Sequence, residues 1–160
     1  MHMPEQYLKT LIQSMEEKKA VLKAILDGTD KQRSALEAEE PDWEEFDRML
    51  DEKGKLIEDL VKLDDGFNAV FDRIKDDLVS NKEKYRNEIA TLQDQIRYVT
   101  EQSNAIQAAE SRNSSLVKIR LGESRKKIKQ TKVSVQAASR YYTAMNRINL
   151  VDPQLMDKKK

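Results

Sequence analysis

The chain is 160 residues long with no net charge, no cysteine and a single histidine; 38% of it is hydrophobic and 36% charged. That apolar share is low and that charged share high for a globular domain, which suits long helices with narrow buried seams and argues against a compact α/β enzyme. Four glycines and three prolines leave no material for a tightly turned sheet or a phosphate loop, and the lack of cysteine excludes disulfides and thiolate metal sites.

A first helix is expected from Pro4, whose missing N–H has no intrahelical partner in a first turn. Its apolar seam reads Leu8, Leu11/Ile12, Met15, Lys19, Leu22, Ile25/Leu26, then Ala35 and Leu36. Gly28 could end the helix as a C-cap or sit inside it at a cost of about 1 kcal/mol relative to Ala; helix formers resume at once, so a continuous helix to about Ala38 is favoured. Glu39-Glu40-Pro41 is a boundary because proline disfavours helical geometry in the residue before it. Asp42 with Glu45 then makes a capping box, opening a helix over about 42–79.

The second seam is Phe46, Leu50, Lys53, Ile57, Leu60, Asp64, Phe67, Phe71, Ile74 and Leu78, with Trp43 ahead of it. Intervals alternating between three and four put these side chains on one stripe, which partner helices must cover. Ser80 and Glu83 form another box, placing the start of a third helix near Asn81 after a very short turn, with a kink in one continuous helix as the alternative. Its seam is Tyr85, Ile89, Leu92, Ile96, Val99, Ser103 and Ile106, after which Glu110 and Asn113 occupy seam positions. Leu116, Val117, Ile119 and Leu121 form a last dense apolar patch with little obvious matching helix, and Ile128 follows. Beyond Gly122, Val133, Ala137, Tyr141, Met145 and Ile148 keep steps of four and then three among poor helix formers, a segment expected to become helical against a surface.

The expected fold is therefore all-α: an elongated antiparallel three-helix bundle or coiled coil over 1–121, its third helix long, with a basic extension over 122–160. Residues 113–160 hold 12 Lys and Arg against 3 Asp and Glu, whereas residues 1–112 hold 17 against 26. An acidic body with a basic tail speaks about partners or self-docking. Met1 to Lys9 lacks the apolar core of a signal peptide, and no stretch approaches the roughly 18 apolar residues that span a bilayer. A cytoplasmic protein without membrane insertion is expected.

No catalytic constellation can be assembled. His2, the one histidine, is terminal, so triads, histidine bases and histidine metal clusters are excluded. Carboxylate pairs such as Glu39/Glu40 and Asp76/Asp77 read as solvated faces, and a di-metal bundle site would want Glu-x-x-His partners. No enzyme activity, cofactor or metal is expected. Lys19, Lys53, Asp64 and Ser103 at seam positions read as register control. The basic run from Arg112 to Lys132 raises a nucleic-acid reading, but the acidic body opposes it and no aromatics are spaced for base stacking. A binding protein is favoured, with a homo-oligomeric structural coiled coil, or a basic-tailed nucleic-acid or membrane-surface adaptor, as alternatives. Burying roughly 600 Å² of apolar surface on the open stripe is worth on the order of 15 kcal/mol gross, most of it offset by ordering and association entropy.

Three stretches carry a resemblance: Phe46-Asp47-Arg48-Met49-Leu50-Asp51-Glu52-Lys53-Gly54-Lys55-Leu56-Ile57-Glu58, then Glu110-Ser111-Arg112-Asn113-Ser114-Ser115-Leu116-Val117, then Tyr141-Tyr142-Thr143-Ala144-Met145-Asn146 with Asp152-Pro153-Gln154-Leu155-Met156-Asp157. In that order they resemble the FlgN family of flagellar type III export chaperones, in the longer-tailed form of motile Gram-positive bacteria. The resemblance implies a cytoplasmic chaperone for hook–filament junction subunits that shields their helical termini and delivers them to the membrane export gate. It places client contact in the C-terminal part, about Asn113 to Ile148. Asn113, Leu116, Val117, Ile119, Leu121, Ile128 and Val133 are the client-binding candidates, and Tyr141 or Tyr142 is the candidate for docking to the export gate.

Overall fold

The computed structural model describes residues 3–123 as three helices: α1 (Met3–Glu37), α2 (Trp43–Ser80) and α3 (Arg86–Glu123). At 1.5 Å per residue each rod is roughly 55 Å long. Polar contacts give the register. Lys18 meets Asp64, Thr29 meets Lys53 and Gln32 meets Phe46, so α2 descends as α1 rises. Gln95 meets Ile12, Asn113 meets Thr29 and Arg120 meets Leu36, so α3 runs parallel to α1.

The buried stripe of α1 is Leu8, Leu11, Met15, Lys18, Leu22, Ile25, Thr29, Gln32 and Leu36, with Gly28 and Ala35 buried beside it. Alternating steps of three and four are the heptad spacing of a left-handed coiled coil. Lys18, not Lys19, fills the seam, because the step after Met15 is three. Lys19 lies one position round, paired with Glu16 at 3.2 Å and over the Tyr98 ring at 4.9 Å. The seams of α2 and α3 follow the predicted spacing as far as Ile106, including buried Lys53 and Ser103, but Asp64, Phe67 and Ile89 are only half-buried, and Met49 and Gln95 are buried beside the stripes. The main core joins all three helices through Leu11, Leu22, Leu60, Ile74, Leu92 and Ile106.

α1 is the middle rod. It packs closely on both partners, while no Cα of α2 comes within 8 Å of one in α3. Long side chains cross that wider space.

α1 passes Gly28 without a break. Asp42 caps α2, its carboxylate accepting from Glu45 N at 3.1 Å. At the other end α3 starts at Arg86, later than the Ser80–Glu83 spacing implies. Asn81 instead closes α2: its N–H and its side-chain amide both donate to Asp77 O, at 2.9 and 3.0 Å. The Asn81 backbone leaves the helical region (φ −126°, ψ 43°), which ends α2, and residues 81–85 form a turn that carries the buried Tyr85.

Candidate functional site

Three polar groups, one from each helix, meet in the interior. Lys53 Nζ donates to Glu110 Oε2 at 2.7 Å and to Thr29 Oγ1 at 3.1 Å. The Thr29 hydroxyl also lies 2.8 Å from Ile25 O and 3.1 Å from Glu110 Oε2, with one proton to give to either. Lys53 is 1% and Glu110 4% exposed, so this is a desolvated ion pair. Burial lowers the Lys53 pKa from the ordinary lysine range, opposed by the Glu110 carboxylate. Such a pair holds little net stability over an apolar replacement but strands a charge if the helices slip, which favours one register. A second ion pair, Lys18 Nζ to Asp64 Oδ1 at 2.7 Å, ties α1 to α2. Burial raises the Asp64 pKa, and Lys18 opposes the shift.

Some two to three turns beyond the triad lies the end of the bundle where α1 turns into α2. Leu36, Trp43, Phe46 and Leu50 form a separate buried cluster there, and Leu116, Val117 and Leu121 of α3 pack half-buried against it. Trp43 and Phe46 meet edge to face at 5.9 Å. The last apolar patch of α3 thus has a partner that its own sequence does not reveal, in place of the open stripe that spacing suggests. The covering residues come from two helix ends brought together by the Glu39-Glu40-Pro41 bend. Ile119 remains 57% exposed.

Asn113, 2% exposed, faces inward: its amide donates to Thr29 O at 2.9 Å, and its Oδ1 has no partner. Trp43 Nε1 is likewise buried without a partner. Ile128, Val133, Tyr141 and Tyr142 lie outside the described residues.

Arg120 anchors this end, and periodicity gives no hint of it. Its guanidinium donates to Leu36 O and Glu39 O, both at 3.0 Å, and to Ala38 O. α1 has no basic residue in its own last turn. A cation from α3 supplies what the negative end of the α1 dipole and its orphan carbonyls require. The single Trp in the chain was the one signal that could have marked the cluster. Among the described residues, no group of three His, Cys, Asp or Glu is arranged to hold a metal, and no helix is long and apolar enough to cross a membrane.

Seams closed by heptads, a buried polar triad and an anchored far end define an elongated three-helix coiled-coil protein whose interior polar groups serve alignment. No curated protein and no solved structure matches the chain significantly. The family model described as FlgN protein matches residues 1–146, and the chain belongs to that family, the flagellar export chaperones.

Proposed function

We propose that this protein is a cytoplasmic, non-enzymatic chaperone for flagellar hook–filament junction subunits, holding their helical termini and delivering them to the membrane export gate. The observation that carries the proposal is the extent of the family match: it runs to residue 146, through the described body and most of the basic segment. In this reading residues 1–121 are the rigid bundle and 122–160 the partner-binding extension. Client contact starts at the α3 end, with exposed Ile119 and the half-buried rim of Leu116, Val117 and Leu121, and continues to Ile128 and Val133. Asn113 supports that surface from inside, through its bond to α1. Tyr141 or Tyr142 docks to the gate.

The test is co-purification from a motile host with the full chain and with a chain ending at Glu123. The full chain is expected to bring down a junction subunit. The shortened chain should melt as a folded helical body and lose at least nine-tenths of the capture. Undiminished capture by the shortened chain would remove the extension from the mechanism.

A further inference from the structure

Two apolar clusters divide the bundle, and on every helix the seam between them is polar. Thr29 and Gln32 separate Ile25 from Leu36 on α1, and Lys53 separates Ile57 from Leu50 on α2. On α3, Glu110 and Asn113 separate Ile106 from Leu116. The far end can therefore open without exposing the main core, because few apolar contacts join the two.

Past Asn113 the α3 rod changes character. None of its residues from 114 to 123 is buried, whereas the Leu36, Trp43, Phe46 and Leu50 side chains beneath them are. These last turns cover an apolar floor without being enclosed themselves. Asn113 is pinned to Thr29 O at 2.9 Å, and Ser114-Ser115 follows at once. Serine is a weak helix former, and serine pairs are among the places where helices bend. Further on, Arg120 grips Leu36 O and Glu39 O at 3.0 Å, while Glu123 Oε1 steers its guanidinium at 2.8 Å.

We propose that residues 116–123 are a latch: they swing from the body about Ser114-Ser115 as one unit, with Arg120 as the catch, and uncover the Trp43–Phe46 floor while the main core stays folded. Leu116, Val117 and Leu121 already stand half in water, so releasing them exposes less new apolar surface than parting a buried seam would. The catch depends on arginine, since a planar fork meets several carbonyls at once and a lysine ammonium does not. Opening differs from simple fraying, which loosens a helix residue by residue from its tip. Here Leu116 and Leu121 share one floor and must leave it together. The bundle is thus rigid as far as Asn113 and gated beyond it, whatever its client.

Trp43, the single tryptophan, lies on that floor and reports the opening directly. In the full-length chain, Arg120→Ala is expected to raise acrylamide quenching of Trp43 fluorescence at least about threefold, with Arg120→Lys between it and the parent. The helical melt followed by circular dichroism should stay within about 3 °C of the parent for both variants. Hydrogen exchange on the unmodified chain gives a second reading. The amides of residues 116–123 are expected to share one opening constant, at least about tenfold larger than those of residues 92–106. Unchanged quenching in Arg120→Ala overturns the proposal. So does Trp43 exposure that appears only when the whole body melts, and so does exchange that fades smoothly inward from the tip.

Discussion

Lys53 reaches across the space between α2 and α3 because those backbones stand apart, and its charge finds Glu110 and Thr29 there. Replacing it alone leaves a buried carboxylate without its cation. Lys53→Met is expected to cost about 3–5 kcal/mol in urea denaturation, with most of that recovered when Glu110→Leu is added. A double variant no better than the single would mean that the pair contributes stability of its own, not alignment. Asp64 makes a pH-dependent contribution of known sign. Its folded pKa is raised above the ordinary 3.8 by burial, so the folded state holds that proton more tightly than the unfolded chain does. Its favourable contribution is therefore complete below about pH 3.8 and is lost as pH rises through the folded value. Between the parent and Asp64→Asn, the difference in Tm, parent minus variant, is expected to fall as pH climbs from that region to neutrality. A rising difference would show that the Lys18 attraction outweighs desolvation.

The elements end where local chemistry stops them, and their interiors tolerate glycine unequally. Gly54 and Gly28 both sit inside helices, but a Cβ on Gly54 meets nothing within 4 Å, whereas one on Gly28 comes within 3.3 Å of Lys53 Cγ. Gly54→Ala should stabilise by about 0.5–1 kcal/mol through helix propensity. Gly28→Ala should gain nothing or lose, since the Lys53 stem is held at its far end by Glu110 and cannot swing aside. Equal gains at both positions, read by denaturant midpoint, would sink this account. Two boundaries were legible in sequence: the Asp42 cap and the bend before it. The start of α3 was not, because Asn81 competes with Ser80 as the punctuating residue, and it is the Asn81 backbone that leaves the helical region.

For the molecule as a whole, the three-rod plan follows from apolar spacing, composition and the scarcity of turn residues, all properties of neighbours along the chain. The same periodicity picked out Lys53 and Ser103 as polar members of the seams, since interval alone assigns a residue to a stripe. Tertiary structure decided the rest. Which polar groups meet depends on the axial alignment of separate helices, so the Thr29–Lys53–Glu110 triad and the inward-facing Asn113 were not readable one helix at a time. Cover for Leu116, Val117 and Leu121 comes from residues 66 or more positions away, at Leu36, Trp43, Phe46 and Leu50, and Arg120 closes onto carbonyls of α1. Local pattern determines what each helix must bury; only the packed arrangement determines what buries it, because contact between distant segments depends on register and bend geometry that no short window contains.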